Sequence, residues 1–283
     1  MRRRLRLSLE AEYHFRDLLP PPDDGRFEAS GVVARGPWLW VVFDNTRRVA
    51  RLPITLDGRG TWFDLPGSTD GFEDIAYSAR SRRFLLLVES VRRGTTYRSA
   101  IDEYDDRWRF LQRRAIEGAL LRRNKGYEGI ACAAFLGREC LFALRERTKE
   151  HTPHVDLLTP APKMWRAEHS IALPSSARFS DYSAVAVRGP RLAVLSQQDA
   201  KLWVASLTSD ASAATGGRVA DFPRSRKKHK RRYYTLEGLA WISDDRIVVV
   251  SDRAKRRKFP RRARRRDESI HVFRLLDLSP RKA

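Results

Sequence analysis

Acidic side chains recur at the ends of short apolar runs in this chain, and carboxylates in that pattern could bind a cation or activate water. Three of them open a run, namely Glu73, Glu128 and Glu237, and three close the run that follows, namely Asp44, Glu89 and Asp252. Grouped carboxylates repel one another and raise each other's pKa, so they need a cation, shared protons or arginine partners. Oxygen ligands suit Ca²⁺ and Mg²⁺, and the six acids therefore predict a site for one of these ions. The alternative is that these acids cap strands and hydrogen-bond the neighbouring blade.

The segments that carry these acids are copies of one hairpin, in which two β-like runs are joined by a tight turn. The third copy, "YEGIACAAFLGRECLFALRER", is typical. The five copies start at Ser30, Glu73, Glu128, Ser183 and Glu237, at spacings of 43, 55, 55 and 54 residues. A repeat of about 40 to 50 residues with β-like content throughout favours a β-propeller.

Each hairpin is followed by two more β-like runs, so that one repeat would hold the four strands of a propeller blade. The fifth repeat lacks one run, and the N-terminal run "RLRLSLEAEYHF" has no other partner. An unpaired edge strand would invite aggregation. We therefore predict that the N-terminal strand completes the last blade and closes one five-bladed domain over residues 1–283, with a six-bladed ring as the alternative.

Hairpin geometry predicts that the five starting residues and the ends of the second strands meet at one mouth of the central channel. The third hairpin ends in Arg145 and the fourth in Gln197, where the other copies end in an acid. These departures predict that the mouth also binds an anion. The predicted ligand-binding residues are Ser30, Arg145, Ser183, Gln197 and Arg253.

Basic residues are concentrated in two loops of the fifth repeat. The chain has a net charge of +21, with seven Lys or Arg in residues 224–232 and ten in residues 253–266. Both loops should lie on the face of the acidic mouth, forming a basic rim that attracts polyanions. The predicted polyanion-binding residues are Arg226, Lys227, Lys228, Lys230, Arg231, Arg256, Arg257, Lys258, Arg264 and Arg265. Tyr233, Tyr234 and Phe259 lie within or beside these loops and could stack on bases.

Other protein classes find little support in the sequence. There is no P-loop, no G-x-S-x-G elbow and no G-x-G-x-x-G motif. No apolar run is long enough to cross a membrane, and the N-terminal run lacks the apolar core of a signal peptide, so we expect a cytoplasmic monomer. The two cysteines, Cys132 and Cys140, are expected to be unbonded.

The repeated hairpins resemble those of the phytase-like esterase propellers and of the related SdiA-regulated bacterial propellers. The resemblance rests on "EGIA" followed by "LFALRE" in the third copy, and on "EGLA" followed by "VVVSD" in the fifth. It implies a propeller whose acidic side chains gather at the channel. Ser30, Ser183, Arg145 and Gln197 depart from a complete acidic ring.

Two functions follow from these observations. The first is an axial site for an anionic, phosphorylated small molecule, in which Ca²⁺ or Mg²⁺ would assist phosphoester or ester hydrolysis. The alternative is a scaffold without enzymatic activity, which binds RNA, DNA or an acidic protein through the loops of the fifth blade. The sequence leaves open whether the protein is an enzyme.

Overall fold

The computed structural model describes residues 5–67, 71–93, 95–118, 126–135, 137–145, 153–225, 230–255 and 259–276, with backbone only at positions 89 and 93. Almost all regular structure in these ranges is β-strand, in short runs of β-branched and aromatic residues separated by turns. No helix in the described ranges is long and apolar enough to cross a membrane.

The strands form successive four-stranded antiparallel units, which we number as blades from the N-terminal side. A short parallel pairing of Met164 and Trp165 with Ala115 and Ile116 joins blades 2 and 3 into one eight-stranded sheet. Blade 1 comprises β2 (Ala29–Arg35), β3 (Trp38–Phe43), β4 (Arg48–Pro53) and β5 (Thr61–Asp64). Blade 2 comprises β6 (Phe72–Ser78), β7 (Arg83–Arg93), β8 (Thr96–Asp105) and β9 (Phe110–Ile116). Blade 3 comprises β10 (Tyr127–Phe135), β11 (Arg138–Arg145), β12 (His154–Pro160) and β13 (Met164–Ala172). Blade 4 comprises β14 (Ala184–Arg188), β15 (Arg191–Ser196), β16 (Lys201–Leu207) and β17 (Ala214–Asp221).

The N-terminal strand closes the ring, as the sequence predicts. Blade 5 comprises β18 (Leu236–Trp241), β19 (Arg246–Ser251) and β20 (Ser269–Leu276), and its outer strand is β1 (Arg6–His14), which pairs with β20. The inner strands contact one another in the cyclic order β2, β6, β10, β14, β18 and back to β2. The fold is therefore a β-propeller, in which the described strands make five blades around one channel.

Apolar side chains are buried between the blades, because each twisted sheet packs its face against the next. Each of the five seams between neighbouring blades has its own buried cluster. Trp203 fills the seam between blades 3 and 4, and Trp40 that between blades 1 and 2. Cys132 and Cys140 are unbonded, as expected, and Cys140 lies opposite Ala133, which places the two thiols on opposite faces of the hairpin.

The first residue of four of the five hairpin repeats lies at a β-bulge, which no pattern in the sequence marks. The pairing register slips at Ser30, Glu73 and Glu128, and at Glu237 together with Gly238. In the fourth repeat, Ser183 precedes the regular ladder and donates its N–H to the Leu195 carbonyl. A bulge leaves one residue unpaired and redirects its side chain, which sets these four residues at the channel mouth.

Glycine follows the bulge because the inner strands approach closely at this level. A Cβ on Gly31 would lie 2.5 Å from the Asp74 Cα atom, and one on Gly238 would lie 2.7 Å from the Gly31 Cα atom. A Cβ on Gly129 would lie 2.9 Å from the Val185 backbone nitrogen. The Glu-Gly pair of the repeat therefore combines a mouth residue with the space that the neighbouring strand needs.

Candidate functional site

The channel mouth gathers carboxyl groups from several blades. Glu237, from β18, has Asp252, Glu73 and Asp181 among its electrostatic neighbours, and Asp44 also contributes. Burial of its carboxyl group, followed by the repulsion from these acids, raises the pKa of Glu237 well above its ordinary value. Four of the six predicted acids, Asp44, Glu73, Glu237 and Asp252, are therefore brought together.

Two of the mouth carboxyls titrate near neutral pH. Burial, and then the charge and hydrogen bond of Glu28, raise the pKa of Asp44 to about 7. Burial and the charges of Asp44 and Glu28 raise the pKa of Asp252 to about 7, although the Arg253 backbone N–H donates to its carboxylate. The positive charge of Lys255 lowers the pKa of both Asp44 and Asp252, so Lys255 is a counter-charge for the two carboxyls. Glu28 lies in the loop before the first hairpin, and no pattern in the sequence of that loop marks it as part of the mouth.

One carboxylate oxygen at the mouth has no partner. The Oδ1 atom of Asp44 is buried and makes no hydrogen bond to the described residues. A buried acceptor of this kind is costly unless a proton, a cation or a ligand donor satisfies it. The neighbouring charge of Glu28 raises the pKa of Asp44 and adds to this cost. A cation at the mouth could therefore satisfy the buried oxygen and reduce the repulsion.

Hydrogen bonds hold the blade 4 side of the mouth in place. The Gln197 side-chain amide donates to the Glu237 carboxylate. Asp181 accepts from the Ser196 hydroxyl at 2.5 Å and from the Gln198 N–H at 2.9 Å. The Arg231 guanidinium donates to the carbonyls of Gln197 and Gln198 and to that of Tyr233. Arg231, predicted to bind polyanions, therefore uses its donors within the protein.

The two serines that begin hairpin repeats bind the backbone of the next blade. The Ser30 hydroxyl donates to the Phe72 carbonyl at 2.6 Å, and the Ser183 hydroxyl donates to the Leu236 carbonyl at 3.1 Å. Each acceptor immediately precedes a glutamate at a bulge. The serines thus position the peptide units that carry Glu73 and Glu237, and their predicted role in ligand binding stays a prediction.

Arg145 lies beside the aromatic ring of its strand partner. Its guanidinium carbon is 5.9 Å from the ring centroid of Tyr127, which pairs with it across β10 and β11. The Tyr127 hydroxyl donates to the Asp156 carboxylate at 2.6 Å. Glu128 is half-buried at the adjacent bulge. Arg145 and Glu128 are therefore at the blade 3 side of the mouth, and their binding roles stay predictions.

Asp74 lies deeper along the channel and joins three inner strands. Its carboxylate accepts the N–H groups of Ile75 and Ile130, each at 2.8 Å, and that of Val32. These strands belong to blades 2, 3 and 1, so the side chain reaches the channel axis just below the mouth. It is 1% exposed, and it therefore acts as a structural acceptor rather than as part of the open site.

A pocket with three arginines lies beside the acidic mouth, between blades 5 and 1. Its volume is about 280 Å³, and its lining includes Arg16, Arg253, Arg264 and His14. Arg253 follows Asp252 directly in the chain, so the pocket lies next to the mouth. We call it the arginine pocket. The sequence gives no sign that His14 and Arg16 line a pocket. Because β1 is the outer strand of blade 5, its C-terminal end brings both residues to the face that carries the mouth.

The acidic residues of the arginine pocket are already engaged. Asp267 accepts the Ala254 N–H at 3.0 Å through its side chain, and Glu268 accepts the Phe27 N–H at 2.9 Å. Three guanidinium groups therefore face two carboxylates that bind backbone donors. The local excess of positive charge favours an anion, and guanidinium groups bind phosphate with good geometry.

The described part of the basic rim differs from the prediction in its aromatic residues. Tyr233 is 1% exposed and Tyr234 is 9% exposed, and Phe259 packs on Tyr234 with ring centroids 6.0 Å apart. The prediction that the two tyrosines stack on bases is therefore wrong, because both rings are used in packing. Lys230, Arg264 and Arg265 are exposed on the mouth face.

Several predicted site residues lie outside the described part of the chain. They are Arg226, Lys227, Lys228, Arg256, Arg257 and Lys258, together with the side chain of Glu89. Among the described residues, no group of three or more His, Cys, Asp and Glu side chains is arranged to bind a metal ion. A cation at the mouth would therefore need ligands from water or from a bound molecule in addition to protein carboxylates.

Comparison with known proteins supports the fold. No protein-family model matches the chain, and no curated protein matches it in sequence. The PQQ-bound aldose sugar dehydrogenase of Streptomyces coelicolor is similar in structure, with 12% identity, a TM-score of 0.53, and coverage of 96% of this chain and 99% of that one. Glutaminyl cyclase of Myxococcus xanthus has 10% identity, a TM-score of 0.54, and coverage of 98% and 100%. At such low identity these similarities show a shared β-propeller fold.

Proposed function

We propose that the channel mouth binds a phosphorylated small molecule together with Mg²⁺ or Ca²⁺. The observation that carries the proposal is the unpartnered Oδ1 atom of Asp44, within a cluster of repelling carboxyls and next to the arginine pocket. Mg²⁺ commonly binds one or two carboxylates and completes its shell with water and substrate phosphate. Mg²⁺ therefore suits a mouth without a preformed set of three protein ligands better than Ca²⁺, which takes more ligands from the protein.

The arginine pocket would hold the phosphate group. Arg253 links the acidic mouth and the arginine pocket, because its backbone N–H donates to Asp252 while its side chain lines the pocket. A ligand that spans both would present its anionic end to Arg16, Arg253 and Arg264 and its reacting bond to the carboxyls. The phytase-like propellers that the hairpins resemble supply the reaction class, which is hydrolysis of a phosphoester. The PQQ-bound aldose sugar dehydrogenase among the structural neighbours is consistent with a small-molecule ligand in this fold.

The proposed reaction needs a proton acceptor near neutral pH. A bound divalent cation would neutralise the charge that develops on the phosphate oxygens. Asp44 and Asp252, whose pKa values are about 7, can each accept the proton of the attacking water. The oxygen of water would then form its bond to phosphorus as the ester P–O bond breaks, and the protonated carboxyl group would return its proton to the leaving alcohol.

Phosphate release from phosphomonoesters, including inositol hexakisphosphate, tests the activity. We expect release that depends on Mg²⁺ and is lost in Asp44→Asn with Asp252→Asn, while Arg253→Gln with Arg264→Gln mainly raises KM. Arg59→Gln is the matched control, because Arg59 is exposed on the opposite side of blade 1. Release that is unchanged in both double variants would contradict the proposal.

A scaffold that binds polyanions is the second candidate, and one feature of blade 5 favours it. A short 3-10 helix, Arg261–Arg265, exposes arginines on the mouth face, with Ala263 as its buried anchor. Such a cluster would contact successive phosphates of RNA or DNA without reading bases. The monomeric state and cytoplasmic location also stay predictions.

A further inference from the structure

A second pocket lies at the opposite end of the seam between blades 1 and 2, far from the acidic mouth. It has a volume of about 510 Å³ and is formed by the turn after β2, the first residues of β3, and the turn between β8 and β9. Its walls are mainly aromatic and cationic. The residues used below are Trp38, Trp40, Phe63, Trp108, Arg51 and Asp106, and we call this site the tryptophan pocket.

The Arg51 guanidinium lies among aromatic rings, with no counter-charge among the described residues. Its central carbon is 4.4 Å from the ring centroid of Trp38 and 5.1 Å from that of Phe63. The side chain is half-buried, its Nε atom has no hydrogen-bond partner, and it forms no ion pair with any described carboxylate. Arg35, on the same wall, pairs with Asp106 at 2.9 Å. Arg51 is thus a partly desolvated cation that a bound anion would neutralise.

The pocket has unpartnered donors at its wall, and its acidic side chain is already engaged. The indole Nε1 atoms of Trp40 and Trp108 are buried and have no hydrogen-bond partner in the described residues. Asp106, the acidic residue of the lining, already accepts from Arg35, Arg82 and Tyr77. A ligand that brings acceptor oxygens therefore suits this wall.

The turn that carries Trp108 adopts a conformation that bulky residues avoid. Trp108 has a φ of 61°, and its N–H donates to the Asp105 carbonyl at 3.0 Å. This left-handed conformation usually belongs to glycine or asparagine, and it persists where the surroundings hold it. Here it stacks the indole on Phe84, with ring centroids 4.2 Å apart and planes at 19°. The strained turn thus builds the flat wall of the pocket.

We propose that the tryptophan pocket binds a planar aromatic carboxylate. The ring of the ligand lies among Trp38, Phe63 and Trp108, and its carboxylate pairs with Arg51. The volume is within the range of sites for small organic ligands, and aromatic walls with a few placed polar groups are typical of them. The proposal concerns a different face from the channel mouth and is independent of the function proposed for that site.

Fluorine NMR with 4-fluorobenzoate tests the proposal on the full chain. We expect the fluorine signal of the probe to broaden when the unsubstituted protein is added. With Arg51→Met the signal should stay narrow, because affinity falls roughly tenfold or more. Arg59→Met, an exposed arginine of the same blade, is the matched control and should bind as the unsubstituted protein does. The neutral 4-fluorobenzamide should cause little broadening. Arg253→Gln should leave binding unchanged, which separates this pocket from the arginine pocket.

A second variant covers the case in which Arg51→Met does not fold. Trp38→Leu removes a half-buried ring that Arg51 covers, and it should also weaken binding. Thermal unfolding of each variant confirms that it is folded before the titration. Equal broadening in the unsubstituted protein and both variants would overturn the proposal. The absence of broadening at millimolar probe, or its loss in Arg253→Gln alone, would overturn it as well.

Discussion

Replacing Asp44 and Asp252 by asparagine should remove a pH dependence of stability that arises at the channel mouth. The pKa of each carboxyl is about 7 in the folded protein, against 3.8 as the ordinary value. The folded state therefore binds more protons than the unfolded state between these values, and the protein loses stability as pH rises through this window. Above about pH 7 both groups are ionised and the full penalty applies.

The size of this effect follows from the pKa difference. At about 1.36 kcal/mol per pH unit, one such group could cost at most about 4 kcal/mol. Asp44 and Asp252 keep some exposed surface and interact with each other, so we expect about 1–2 kcal/mol for each. Together they should lower Tm by about 5 °C between about pH 5 and about pH 8. His271, whose pKa is lowered by burial, changes stability in the opposite direction, but it does so equally in the variant.

Calorimetric unfolding of the wild type and of Asp44→Asn with Asp252→Asn measures this difference. Asp57→Asn, an exposed acid on the opposite face, is the control and should follow the wild type. Mg²⁺ should raise the Tm of the wild type at pH 8 and much less at pH 5, because protons and the cation compete for the same oxygens. Parallel pH curves for the wild type and the double variant would refute the reasoning, as would an equal response of both to Mg²⁺.

Three further substitutions test the fold and the basic rim. Gly129→Ala should cost about 1–3 kcal/mol in urea unfolding, because its Cβ would lie 2.9 Å from the Val185 nitrogen; no change would mean that the strands can separate at this level. Asp74→Ala should cost about 3 kcal/mol or more, since three buried N–H groups lose their acceptor; a loss below about 1 kcal/mol would show that water replaces the carboxylate. Arg261→Gln with Arg265→Gln should reduce the salt dependence of RNA binding by about two counterions, and an unchanged slope would remove the 3-10 helix from the polyanion surface.

The positions of the hairpins and the closure by β1 could be predicted because they depend on local patterns. The short β-like runs joined by tight turns and the missing run of the last repeat are both visible in the sequence. The common position of the hairpin ends at one mouth could also be predicted, since the second strand of an antiparallel pair returns to the face where the first strand begins. The glutamates at 73 and 237 were therefore correctly placed together, with Asp44 and Asp252, from spacing alone.

The chemistry of the mouth could not be predicted so fully, because it depends on contacts between segments that are distant in sequence. Glu28 acts on Asp44 through a loop whose path the repeat does not fix. Arg231 belongs to a run of like charges, and the side chains of such runs are usually exposed to solvent. Its guanidinium nevertheless binds the backbone of the adjacent blade. The position of Tyr234 beside a basic loop predicts a surface on which bases could stack, but Phe259 and Ala263 cover its ring.

The first residues of the hairpin repeats explain how the mouth can hold several acids without losing the fold. Around the ring, the blades on either side of Glu237 begin with a serine, Ser183 in blade 4 and Ser30 in blade 1. Each serine donates to a carbonyl of the next blade, so it supplies a bond at the seam instead of another charge. The remaining repulsion is shared by Glu237 and by the residues that close the second strands, Asp44 and Asp252. Asp44 also has a buried carboxylate oxygen without a hydrogen-bond partner among the described residues, which is why a cation should act there first.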